Sequence, residues 1–158
     1  MITSETKYLH PRKWPALVPL AVGFGILIFS NNQENRNEYW IMASILIGFS
    51  ILLFLAFRKA RVVLDYDKLT YQTIFKKKEI WWQEVQKTFI KYHHHGKSGS
   101  RNLHFITKNG EEHNFSISLY SKNDLQQIGE AIIAKCEGAD IQEKIRNMAV
   151  GIFPWYKL

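Results

Sequence analysis

A single cysteine, Cys136, among 158 residues leaves no partner for an intramolecular disulfide and no Cys-rich zinc site. That usage suits a reducing compartment. Missing too are a phosphate-cradling glycine loop, a pair of carboxylates with a pocket, and any Ser/His/Asp or Cys/His arrangement that can be placed. The chain therefore reads as non-enzymatic, and no cofactor is implied. Its length is one domain's worth, which excludes a large multidomain enzyme. Acidic residues are in deficit, 14 against 21 Lys and Arg, for a formal charge of +7 and a pI near 9.5. An electrostatic partner would be anionic: lipid headgroups, nucleic acid or an acidic protein.

Apolar sequence is plentiful but confined. A mean hydropathy of −0.21 averages a strongly apolar first 57 residues with a polar, charged remainder. Residues 40–57, WIMASILIGFSILLFLAF, carry no charge and are flanked by Tyr39 on one side and by Arg58, Lys59 and Arg61 on the other. A hydrocarbon core of about 30 Å needs about 20 helical residues, so this reads as a spanning helix with aromatics at one interface and cations at the other. Its eleven Leu, Ile and Phe side chains contribute roughly −3 to −7 kcal/mol to insertion. Residues 16–29, ALVPLAVGFGILIF, form a shorter second run that spans with help from Lys13 and Trp14 at the headgroups. Pro15 and Pro19 lie near its start, where a missing backbone donor costs least. Ile28 and Ser30 do not make a small-x-small cleavage pattern, which argues against a signal peptide. The two runs predict a helical hairpin anchored by Trp14, Tyr39 and Trp40, and Ser44 with Gly48 offers a small-xxx-small contact between the helices. Lys7, Arg12, Lys13 and the 58–61 cluster outnumber the single Arg36 of the intervening loop, so both ends are expected in the cytoplasm of a multi-pass inner-membrane protein.

After residue 61 the period changes. Segments 61–66, 69–76, 85–93, 101–107 and 111–119 are short, β-branched and aromatic, with 79–82 as an extra extended piece, and Asn109-Gly110 is the strongest hairpin signal between them. They predict an antiparallel meander. Ser121 with Asp124 then caps a helix whose stripe is Leu125, Ile128, Ile132 and Cys136, and Asp140 with Glu143 reads as a second capping box. The helix is the economical cover for the sheet.

A strand ending near Asp65, a turn, a second strand, a basic turn and then Ile80-Trp81-Trp82-Gln83-Glu84-Val85 resembles the I-P-W-x-D/E-I stretch of bacterial pleckstrin-homology-like domains, with Trp81 where proline often falls. The resemblance covers about residues 61–136. It implies a partly closed barrel or split sheet capped by a C-terminal helix and used for binding or scaffolding. The expected fold class is α+β: residues 1–13 a cytoplasmic segment, 14–57 a transmembrane hairpin, 58–149 a domain similar to that family, and 150–158 an aromatic tail.

Strand advance of about 3.3 Å per residue brings Lys76, Lys77 and Lys78 back beside Arg58, Lys59 and Arg61, a set of six cations suited to anionic headgroups or to a generic positive belt. Nucleic acid is not expected, because residues 58–158 carry 17 basic against 11 acidic side chains and no recognition motif. His93 and His95 share a strand face, with His104 and His113 on neighbouring strands, so a two- or three-histidine metal site is geometrically open; no carboxylate stands at ligand spacing, and the plainer expectation is a polar strand end with no metal. Alternation sends Trp81 and Trp82 to opposite faces. Phe153, Trp155 and Tyr156 are expected to dock on the domain, on a partner or at headgroup level. Self-association is open, with the strand 101–107 as an edge and the tail as candidate surfaces. These features point to a membrane-anchored binding or scaffold module, accessory to a larger membrane complex through an unknown protein partner. The alternative is a sensor of anionic lipid headgroups through Lys76–Lys78.

Overall fold

The computed structural model describes residues 6–30, 36–73, 75–95 and 98–154. Its chain order is β1 (Lys7–Leu9), α1 (Trp14–Phe29), α2 (Arg36–Lys59), β2 (Arg61–Leu64), β3 (Lys68–Gln72), β4 (Lys77–Trp81), a 3-10 turn (Trp82–Glu84), β5 (Val85–His95), β6 (Ser98–Thr107), β7 (Glu112–Ser116), α3 (Lys122–Lys135), β8 (Asp140–Ile141) and α4 (Glu143–Ala149). The class is α+β.

Three residues before the first helix settle the arrangement of the rest. β1 pairs antiparallel with β2, Lys7 opposite Leu64 and Leu9 opposite Val62, across the whole intervening hairpin. Leu9 is 4% exposed in the common core. The Thr6 hydroxyl donates to the Asp65 carboxylate at 2.6 Å, and the Arg12 amide to the Leu119 carbonyl at 2.7 Å. A strand this short has no periodicity to read, so nothing in the local pattern ties residues 7–9 to the sheet they help to build.

α1 and α2 lie antiparallel because small residues face each other every two turns. Ala16 and Gly23 on α1, Ser30 at its C-cap, and Ala43 and Ser50 on α2 are buried, and the Ser50 hydroxyl donates to the Ala16 carbonyl. A Cβ on Gly23 would stand 2.9 Å from Ile47 Cγ1 and 3.3 Å from the Ala43 carbonyl, the backbone approach that small residues permit. The expected pair Ser44 and Gly48 is not the contact: Ser44 and Gly48 lie on an exposed face, and nothing stands within 4 Å of a Cβ on Gly48. α2, with 24 residues, is about 36 Å long; it is long and apolar enough to cross a bilayer. Only 11% of its most apolar window is buried, the reverse of a soluble core helix. α1, with 16 residues, is about 24 Å long.

The strands do not form one meander. They make two four-stranded sheets, β1-β2-β3-β4 and β7-β6-β5-β8, with no pairing between them among the described residues. The break comes at the 3-10 turn, where Trp82 is buried at 2% exposure and its Nε1 donates to the Asp65 carbonyl at 3.1 Å. Trp81, on the other face, is exposed with the Lys68 ammonium 5.0 Å from its ring centroid. Segment 101–107 belongs to β6 and lies between β5 and β7, so it is no edge; the edges of that sheet are β7 and β8. Asn109-Gly110 does make the β6–β7 turn, with Gly110 at φ +86°.

α3 covers both sheets. Ser121 and Asp124 form the reciprocal capping box, and Leu125, Ile128, Ile132 and Cys136 enter the core with Val62, Leu69 and Ile80 of one sheet and Leu103, Phe105 and Phe115 of the other. The second capping box does not form. Asp140 is instead in β8, parallel to β5, and pairs with Lys87 at 2.7 Å. The N-cap of α4 is Gln142, whose side chain accepts from the Ile90 amide at 2.8 Å rather than from its own helix. Backbone pairing with β5 outcompetes a solvent-exposed cap because it satisfies groups that would otherwise be buried. α3 and α4 touch at Gly129, where a Cβ would lie 2.8 Å from the Ala149 amide nitrogen.

Gly129→Ala is therefore expected to lower stability by about 1–3 kcal/mol through overpacking against backbone, seen as a lower thermal midpoint in detergent by circular dichroism; Gly48→Ala, which meets open space, shows no loss. The Cys136 thiol is buried, and burial pushes its pKa up to about 12. It is expected to be inert to a disulfide reagent at pH 8 in the folded protein and to react fully in denaturant.

Candidate functional site

The C-terminal turn of α2 runs straight into β2, and β3 and β4 return to the same level. The register places Arg61 beside Gln72 and Gln72 beside Lys77, one row across the sheet end. The expected gathering of Lys76–Lys78 with Arg58, Lys59 and Arg61 at one end follows from this register. The six are not equivalent. Arg61 Nε donates to Gln72 Oε1 at 3.0 Å and its guanidinium lies over the Tyr8 ring. Lys77 pairs with Glu79 at 2.7 Å, and Lys68 holds the other Glu79 oxygen at 2.7 Å. Arg58, Lys59, Lys76 and Lys78 make no ion pair among the described residues, and so remain available to an anion.

Between this rim and the last turns of α2 opens a cleft of about 1040 Å³, lined by Leu52, Leu55 and Ala56, then Arg58, Lys59 and Arg61, and across from them Gln72, Thr73 and Phe75. Its wall is apolar toward the helix and cationic at the sheet end. Phe75 is 88% exposed, a bare aromatic at the tip of the β3–β4 turn. That turn is closed by the Thr73 amide donating to the Lys76 carbonyl at 2.7 Å and the Lys76 amide to the Thr73 hydroxyl at 3.0 Å. The segment 69–76 reads in sequence as one strand. Gln72, Thr73 and Phe75 therefore carried no signal of a cleft, since the strand ends at Gln72 and the turn throws Phe75 outward.

The aromatics expected as interfacial anchors divide between the ends of the hairpin. Trp14, 58% exposed, opens α1 next to the sheets, whereas Tyr39 and Trp40 begin α2 at the opposite end, with Arg36 stacked over Trp40. Phe153 packs on the core; Trp155 and Tyr156 lie outside the described residues.

The histidines separate. His93 and His104 come together on the outer face of the second sheet, their Nε2 atoms 3.5 Å apart, and His104 Nδ1 meets the Glu112 carboxylate at 2.5 Å. A carboxylate therefore does accompany them, supplied by the neighbouring strand rather than by local spacing. His113 sits on the opposite face, Nε2 3.5 Å from Glu111, and the His95 side chain lies outside what is described. Among the described residues no group of three or more His, Cys, Asp and Glu side chains converges on one metal position.

No protein-family model and no curated protein matches the chain.

Two lysine hydrogen bonds, first from Lys68 and then from Lys77, hold the half-buried Glu79 carboxyl at about 2 against an ordinary 4.5. Because the folded value is depressed, its contribution to stability is present above pH 4.5 and is lost as pH falls toward 2. A carbon-detected NMR titration is expected to show the Glu79 carboxyl still ionised at pH 3, and Lys68→Met together with Lys77→Met returns it toward the ordinary range.

Proposed function

We propose that the protein is a membrane-anchored, non-enzymatic binding module, an accessory component of a membrane protein complex, held at the cytoplasmic surface by a hairpin that crosses the bilayer twice. The pairing of β1 with β2 carries this reading. A strand before α1 and a strand after α2 share one sheet, so both ends of the hairpin must lie on the same side of any membrane. α2 is long enough to cross; a crossing by α2 alone would tear the sheet in two, which supports a return crossing by α1. Its shorter length is accommodated by local thinning and by Lys13 and Trp14 at the headgroups. The excess of Lys and Arg at the sheet end favours the cytoplasmic side. A domain resembling the pleckstrin-homology-like class, with two sheets capped by α3, suits binding rather than catalysis.

The second reading, recognition of anionic lipid, is favoured by the cleft at the α2–sheet junction. An apolar wall continuous with the anchor helix and a cationic rim match an acyl chain joined to a phosphate.

Topology is read by labelling with a membrane-impermeant maleimide. Asn37→Cys, at the exposed start of α2, is expected to label from outside intact cells and Lys122→Cys only after permeabilisation; the reverse pattern, or labelling of both from one side, overturns the two-crossing reading. Lipid recognition is read on the full chain in nanodiscs. At about 1 kcal/mol per cation near the surface, Lys76→Ser with Lys78→Ser is expected to weaken retention of phosphatidylglycerol over phosphatidylcholine by up to roughly 30-fold.

A further inference from the structure

His104 is 4% exposed although it projects from the outer face of the second sheet, away from the core. Phe89 stacks on it with ring centroids 4.9 Å apart, and His93 meets it edge to edge, with centroids 5.7 Å apart and planes inclined by 23°. Glu112 on the adjoining strand closes on Nδ1 at 2.5 Å. That contact settles the tautomer. A carboxylate accepts the Nδ1 proton, so the Nε2 of neutral His104 carries the lone pair, and it faces His93 Nε2. The separation of 3.5 Å is long for a hydrogen bond between two nitrogens. It is close to the ~3.3–3.4 Å that separates two nitrogens on one tetrahedral zinc with Zn–N bonds of about 2.0–2.1 Å. A carboxylate behind the far nitrogen of a ligating imidazole is the arrangement that orients such ligands and raises their basicity.

We propose that His93 and His104 are the two protein ligands of a site for a divalent zinc-class ion, with Glu112 as the positioning residue and water completing the coordination. His104 is fixed by stacking and by Glu112. His93 is half-buried, and the broad terminal torsion of histidine lets it turn its lone pair onto the ion. With two protein ligands, the site exchanges its ion and does not build the fold, unlike structural zinc centres with four. This site is independent of the basic cleft and of the membrane reading.

The test is calorimetric titration of the full-length, detergent-solubilised protein with ZnCl₂, with Cu²⁺ electron paramagnetic resonance to count nitrogen ligands. One ion per chain and two imidazole nitrogens are expected. His93→Ala abolishes binding while leaving the circular dichroism melt in place, and Glu112→Gln weakens binding by roughly 10- to 100-fold without removing a nitrogen from the copper spectrum. The double variant His94→Ala, His95→Ala keeps the site. Absence of binding to the unaltered protein, binding undiminished by His93→Ala, or loss in the His94, His95 variant alone would each overturn the proposal. The last would assign the ion to the histidine run.

Discussion

Backbone pairing between β1 and β2 is the constraint on which the molecule turns. Three residues before the hairpin and three after it, Lys7–Leu9 and Val62–Leu64, satisfy one another's amides and carbonyls, and an unpaired buried backbone group costs as much as a lost hydrogen bond. The hairpin is thus closed at its base by the domain, and the domain is completed by chain from both ends of the hairpin. A folded unit joined to the helices by one flexible linker would tumble; one closed in this way is held in a set orientation relative to them. On the proposed reading, that fixed pose is what lets a short basic rim and a junction cleft face the membrane surface together.

The same closure explains how the cations are distributed. β2 leaves the end of α2 without a loop, since Lys59 ends the helix and Arg61 begins the strand. The hydrogen-bonded row Arg61, Gln72, Lys77 then carries charge laterally across the sheet end. Glu79 pairs with Lys77 and Lys68 on one side of the sheet and Gln72 accepts from Arg61 Nε, which leaves Arg58, Lys59, Lys76 and Lys78 as the set with no ion pair among the described residues. Charge count alone would have credited the rim with all six.

Packing at the two helix contacts rests on the absence of side chains. Gly23 against Ile47 and Gly129 against Ala149 each bring backbone within reach of a neighbouring helix, one in the apolar hairpin and one beside the sheets. In the hairpin, close van der Waals approach and the Ser50 hydrogen bond hold the helices together. In the domain the same approach lets α4 seal Ile145 and Met148, both fully buried, beneath α3.

Sequence pattern determined the elements with strong periodicity and flanking chemistry. The uncharged run of α2, the Ser121–Asp124 cap and buried stripe of α3, the Asn109-Gly110 turn and the opposed faces of Trp81 and Trp82 are local consequences of residue order. Pairing partners were decided only in three dimensions. β1 is too short to carry a period, Asp140 chose a strand over a cap because β5 offered buried backbone groups, and the strands parted into two sheets where Trp82 turned inward. The small-residue seam fell on Ala43 and Ser50 rather than on Ser44 and Gly48, since which helix face meets its neighbour depends on where the sheet clamps the hairpin. Glu112 met His104 for the same reason: residues eight apart in sequence on neighbouring strands become neighbours only once a register is chosen, and register is a property of the assembled sheet.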